Sequence, residues 1–285
     1  MPLNPAQDLL PIFERPPVTE VVAGVQFDPV ENFSAAHLGL LWARFRHRFP
    51  KTEQKPSLDP VIERRGGRAP PGLQTLQIVS DVQPRLWFLN GEGDELVQVQ
   101  HDRLIRNWRR MPESTSAYPR FDAHIRKGFV EDYNTLLEFL ASEGLSAPVP
   151  NQCEVTYINH ILPNDGWKTH ADIASVFRGW SPAYANDVGA LESVNVGASH
   201  ELTEGGGQFV GRLHVTLQSV FVRQPRVNPS SDPVPAFVLT ILARGKPLGQ
   251  AVDGVLGFLD FGHRSVVQAF ERMTTGEMHR HWGKK

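Results

Sequence analysis

The last long apolar pattern in the chain constrains its fold more than any other stretch. Between Val252 and Met273, apolar side chains fall at Val252, Val255, Leu256, Leu259, Val266, Val267, Phe270 and Met273. This is the i, i+3, i+4, i+7 recurrence of one helix face. Asp253, Asp260, Arg264, Gln268, Glu271 and Arg272 fall mainly on the other side. A long helix with one apolar stripe has to lie on a sheet or on other helices. The rest of the chain reads as that cover. Beyond the helix, Thr274 and Glu277 have capping-box spacing and predict a short terminal turn over Met278 to Trp282.

Upstream, residues 1–17 are Pro-rich and read as an extended arm. Thr19 to Phe27 alternates as a strand, with Val21, Ala23, Val25 and Phe27 on one face. Ser34 then caps an amphipathic helix marked by Leu38, Leu41, Trp42, Phe45 and Phe49. Lys51 to Gly72 lacks periodicity and reads as a long loop. Strands are expected at Leu73–Ser80, at Arg85–Leu89 and at Glu95–Arg109. The last is one long strand or two, with a bulge at Asp102-Arg103 where the alternation shifts. A long helix runs from Tyr118 through Leu140, with Gly144 as its C-cap. The prolines between Ala147 and Asn151 mark a boundary. A strand at Gln152–Leu162, a short helix at Lys168–Arg178, and strands at Leu191–Leu202, Gln208–Val222 and Ala236–Arg244 then lead to the closing helix. The order predicts an α+β fold of two similar halves, residues 18–147 and 148–285. Each half is strand, helix, antiparallel strands and long helix, the helices covering one face of a curved antiparallel sheet.

Composition narrows the classes. The 40% hydrophobic and 21% charged fractions are those of a globular chain, and a net charge of −2 offers no field for nucleic acid or acidic membranes. No apolar run approaches the ~18 residues of a membrane span. The single Cys153 sits in an expected strand and reads as a buried, inert thiol. A reducing cytoplasm is the expected compartment.

The segment Pro16-Pro17-Val18-Thr19-Glu20-Val21-Val22-Ala23-Gly24-Val25-Gln26-Phe27 resembles the opening of a sporadically distributed bacterial protein family of about this length. Similar stretches are Ala36 to Trp42, Asp102 to Arg109, and Thr274 to Gly283 with its Thr-Thr-Gly-Glu-Met-His-Arg-His-Trp-Gly ending. The resemblance runs from end to end and implies no activity. The order of elements is also similar to helix-grip and TATA-binding-protein-like folds, an analogy of topology alone.

Enzyme motifs are few. The chain has no Walker A loop, no HExxH, no CxxC and no Gly-x-Ser-x-Gly. Gly91-Glu92-Gly93 reads as a hairpin turn. His263, inside the apolar stripe, reads as a buried imidazole with one hydrogen-bond partner. His279 and His281 are two apart and do not face each other on a helix. His160, His200 and His214 lie in three strands and would make a metal or acid–base site only if they converged.

The strongest candidate surface is Arg103, Arg106, Arg109 and Arg110 with Trp108. On a strand Arg106 and Trp108 share a face, so one could hold a phosphate while the other stacks a ring. Arg109 lies on the opposite face unless the bulge re-aims it. Glu20 opens the first strand, and if inward it needs a cation; Arg106 is the expected partner in a structural ion pair. The expectation is a non-catalytic binding or assembly module, partnered by protein or a second copy, without cofactor, metal or membrane. The alternatives are a nucleotide or nucleic-acid binder using the Arg/Trp strand, and a metal-dependent hydrolase using the strand histidines.

Overall fold

The computed structural model describes residues 10–66, 84–111, 117–163, 166–180, 189–222 and 232–285. In chain order the main elements are β1 Val18–Phe27, α1 Ala35–Phe45, β2 Lys51–Lys55, β3 Arg85–Leu89, β4 Glu95–Gln100 and β5 Arg103–Arg109. A π-helical turn at Phe121–Arg126 leads into α2, Lys127–Ser142. Then follow β6 Pro150–Ile161, α3 Ile173–Val176, β7 Asn195–Glu204, β8 Gln208–Val222 and β9 Val234–Gly245. The chain closes with α4, Ala251–Met273, and α5, Gly276–His281.

The fold is mixed α/β around one antiparallel sheet of nine described strands, in the order β2-β3-β4-β5-β1-β6-β9-β8-β7. All the strand pairs are antiparallel. β1 lies in the middle, paired with β5 on one side and β6 on the other. Strand alternation sends Val21, Ala23 and Val25 to one face, in register with Trp108, Arg106 and Leu104 of β5 and with Tyr157, Val155 and Cys153 of β6. This inner face carries the core. α2 packs over β5, α4 over β6 and β9, and α1 against α2 and β3. The stripe of α4 is buried as its spacing requires, Val255, Phe258, Leu259 and Val266 being almost fully covered. Among the described residues no helix is long and apolar enough to cross a membrane.

Several expectations change. Lys51–Lys55 is a strand rather than loop. Among the described residues it pairs on one side only, at the edge of the sheet, so its Lys-Thr-Glu-Gln-Lys sequence needs no apolar face, and its charges discourage edge-to-edge association. The strand expected at 73–80 lies outside the described residues. The shift at Asp102-Arg103 is a hairpin turn and not a bulge: Gln100 pairs with Arg103 across His101 and Asp102. α3 is a single short turn preceded by a 3₁₀ turn at His170–Asp172. The cap of α5 is Thr275, whose hydroxyl accepts from the Met278 amide, while Thr274 is buried and donates to the Phe270 carbonyl. Trp282, at the end of the terminal turn, is 2% exposed and packs on Phe270.

One glycine is set by close approach. A Cβ at Gly128 in α2 would stand 2.3 Å from the Arg106 guanidinium carbon, so the helix can cross the buried arginine only there without a side chain.

Leu259→Ala should lower stability by about 2–5 kcal/mol, because it empties a fully buried position between helix and sheet. A urea midpoint within error of the parent would show that α4 is not clamped to the sheet.

Candidate functional site

The residues singled out from sequence separate onto the two faces of the sheet. Arg106 and Trp108 do share a face, and it is the inner one, where each is 4% exposed. Arg106 is held by Asp132 of α2 at 2.6 Å and by Glu95 of β4. Asp132 also binds Arg48 at 2.7 Å, and Glu95 binds His124 at 2.5 Å. Two carboxylates thus face two guanidiniums, as buried charges demand, although burial raises the Asp132 carboxyl against the pull of both arginines. Trp108 lies in the core against Tyr118. The surface in which Arg106 holds a phosphate beside a stacking Trp108 is therefore absent.

Arg103 and Arg109 face the other way. Arg103 is tied to Asp102 at 2.8 Å and to the Leu58 carbonyl at 3.0 Å. Glu20 also lies on this outer face, so its expected pairing with Arg106 does not form. Its carboxylate instead accepts from the Asn107 side chain at 2.6 Å. Asn107 accepts from Gln98, and Gln98 accepts from Arg85 and Trp87. The tryptophan beside Arg109 is Trp87: the Lys55 ammonium lies 4.6 Å from its ring centroid, and the Arg85 and Arg109 guanidiniums 5.7 and 5.9 Å.

A strap of irregular chain crosses the other end of this outer face. Leu58 exchanges hydrogen bonds with Gln100 on β4, the Val61 amide donates to Gln26 on β1, and the Glu63 amide donates to Gln152 on β6. The strap is pinned where the Glu63 carboxylate meets Arg212 and His214 of β8, each at 2.7 Å. Burial pushes the Glu63 carboxyl up, but these two partners outweigh it and hold it below its usual range. His214 thus serves the strap. His160 shares its face but lies four positions along the strands, in register with Val238 where His214 is in register with Leu242. His200, opposite Leu213, projects to the other face. The three strand histidines do not converge.

The most site-like feature lies on the inner side, at one end of the sheet. A cavity of about 610 Å³ opens between the arm (Leu10 to Pro16), the start of the π-helical turn, Tyr157 on β6, and His263, Val266, Val267 and Phe270 on α4. Its walls are mainly apolar, and one polar chain runs through them. The Tyr118 and Tyr157 hydroxyls are 2.7 Å apart, and the Tyr157 hydroxyl is 2.9 Å from His263 Nδ1. Phe121 stacks on the imidazole, centroids 4.1 Å apart and planes within 10°.

Local backbone places these groups. Arg120 has φ 69°, an unfavourable value for a residue with a side chain. Its guanidinium donates to the Phe13 carbonyl at 2.9 Å, which ties this strained corner to the arm. The wide π turn follows at once, a helical irregularity often found at functional positions. The arm is fixed in turn: Phe13 packs edge-on to Phe270 and Trp282, and Glu14 and Arg15 donate their amides to Gly283 and Trp282.

Burial sets the protonation of the polar chain. It lowers His263 to about 4, so the imidazole is neutral near neutrality. It also raises Tyr118 and Tyr157, which keep their protons. Sequence reading named His263 but missed both tyrosines. The available signal was Tyr157 on the apolar face of an alternating strand, where a buried hydroxyl needs a partner.

No family model, curated protein or solved structure matches the chain.

The depressed His263 makes a pH prediction. The unfolded imidazole titrates near 6.5 and the folded one near 4. Between these values the unfolded state binds the extra proton, so stability should fall as pH drops through that window and be fully present above it. His263→Gln should show a smaller loss of urea midpoint between about pH 7 and about pH 5 than the parent. Equal losses would mean that His263 does not titrate differently on folding.

Proposed function

We propose that the chain is a non-catalytic binding module that takes a small, largely apolar molecule into the cavity beside the arm. The observation that carries this reading is the cavity itself. Its volume of about 610 Å³ falls within the ~300–1,000 Å³ typical of small-molecule sites. Mainly apolar walls surround a short polar chain, with Arg120, Asp122 and Asn159 also in the lining, the usual composition of such a site. The protonation states favour recognition over chemistry. A general acid or base works best when its pKa lies near the working pH, and burial moves His263 below that range and both tyrosines above it. A neutral imidazole and two neutral phenols can donate and accept hydrogen bonds without exchanging charge.

We also read the sheet as two similar units, residues 18–147 and 148–285, in a helix-grip-like arrangement. The support is the order of elements: β1 and β6 pair at the centre, and each is followed by a helix, by strands that reach outward to an edge, and by a long helix.

Binding is tested with a neutral fluorophore, N-phenylnaphthylamine, which brightens in apolar surroundings. The parent should bind it saturably, and Val267→Trp, which fills the cavity from α4, should weaken binding by about tenfold or more while the thermal melt stays cooperative. Unchanged binding by a folded Val267→Trp variant would move the site elsewhere.

The Trp87 cluster favours a second reading, a nucleotide held on the outer face. Three cations surround this indole, and a base could stack where Lys55 now lies, held by Glu53 at 2.7 Å. Trp87→Ala should then cost about 1–3 kcal/mol of affinity for a nucleoside monophosphate in calorimetry. Absence of any binding heat for the parent would remove this reading.

A further inference from the structure

A second cavity, of about 590 Å³, is lined by Leu10, Asp122, Arg126, Asp260, His263 and Arg264. It shares Leu10, Asp122 and His263 with the apolar cavity, so the two adjoin at these residues. The inner chamber is walled mainly by apolar side chains such as Phe13, Val18, Phe121, Val266, Val267 and Phe270, and the outer one by the charged Asp122, Arg126, Asp260 and Arg264 with Leu10 and His263. A single molecule lying through both would meet an apolar environment at one end and a charged one at the other.

The sign of that charge follows from the partners. Arg126 and Asp260 cancel, joined by two hydrogen bonds of 2.6 and 3.1 Å. Arg120 spends its hydrogen bond on a neutral carbonyl. Arg264 is exposed and has no carboxylate partner among the described residues. Asp122 is the remaining anion. Across both chambers three arginines (Arg120, Arg126, Arg264) face two carboxylates (Asp122, Asp260), an excess of one positive charge. His263, at the junction, adds a hydrogen-bonding edge and no charge near neutrality.

We propose that the ligand is an amphiphile with one apolar chain and an anionic head, the chain in the inner cavity and the head at Arg264 in the outer one. This rests on the cavity being a binding site. The chemistry favours a monoanion such as a fatty carboxylate. A second negative charge would exceed the cationic surplus, and a cationic head would meet Arg264 at short range. The seat at Arg264 is open to solvent, so water screens the attraction and the head contributes preference more than affinity. The apolar chain supplies most of the binding.

The test is displacement of N-phenylnaphthylamine from the parent protein by three molecules with the same chain: dodecanoate and dodecyltrimethylammonium, each below its micelle concentration, and dodecanol below its solubility limit. Dodecanoate should compete best, with an apparent Kd about tenfold below that of the ammonium, and added salt should narrow the gap. Arg264→Ala should weaken dodecanoate several-fold and leave dodecanol unchanged. Equal competition by all three, or preference for the ammonium, would overturn the anionic head while leaving the cavity as a site. A dodecanoate preference that survives Arg264→Ala would overturn the placement of the head. If the parent does not bind the fluorophore and dodecanoate gives no binding heat in calorimetry, both the cavity reading and this proposal fall.

Discussion

β1 is hydrogen-bonded along both edges, to β5 over Glu20 to Gln26 and to β6 over Val18 to Phe27. A central strand of this kind has no free backbone edge, so its register is fixed twice. A one-residue slip on either side would turn Val21, Ala23 and Val25 out of the core and bring Glu20, Val22 and Gly24 in. β1 comes early in the sequence and β6 follows residue 149, so their pairing joins chain segments that are remote in sequence. Once it forms, α2 and α4 lie on the same face of one sheet, and a cleft between the two helix-covered regions becomes possible. The cavity beside Tyr157 occupies that position, with the π-helical turn ahead of α2 on one side and α4 on the other.

Periodicity made most elements legible because burial on one face leaves a record. Val252–Met273 against the observed Ala251–Met273, and Gln208–Val222 matched at both ends, are elements whose apolar faces meet the core. β2 left no such record, because an edge strand with exposed charges is held by backbone hydrogen bonds, which any sequence can make. The hairpin at His101 and Asp102 was hidden for a related reason. Its inward positions are odd in β4 (Val97, Val99) and even in β5 (Leu104, Arg106, Trp108), so a reversal of direction looks like a shift of phase.

The candidate site shows the same limit at the level of side chains. Alternation placed Arg106 and Trp108 on one face correctly. It could not say that the face was the inner one, because an arginine in the pattern argues for solvent. The carboxylates that make burial tolerable, Glu95 and Asp132, lie 11 residues before and 26 after Arg106 along the chain. Neither has a spacing that marks it as a partner. Trp87 was overlooked for the opposite reason: its cations come from Lys55, Arg85 and Arg109 on three strands, and only sheet order brings them together. The glutamines that hold the strap, Gln26, Gln100 and Gln152, occupied positions that the pattern assigned to a wet face. They are nearly buried because irregular chain lies over them.

The cavity is built from parts that are weakly specified one by one. The arm has little periodicity, and Arg120 stands in an unfavourable backbone conformation. The π turn gives up regular helical hydrogen bonding. Packing at the chain's other end compensates: Phe13 lies on Phe270 and Trp282, and the arm's backbone pairs with residues 282–285. The arm therefore closes the cavity only while residues 12–15 stay paired with residues 282–285. A ligand that touched the arm, Phe121 and α4 at once would add contacts across this least regular region. It would stabilise the folded state in proportion to the logarithm of its concentration over Kd. Such a ligand would thus favour the seated arm, which the Arg120 guanidinium also holds through the Phe13 carbonyl.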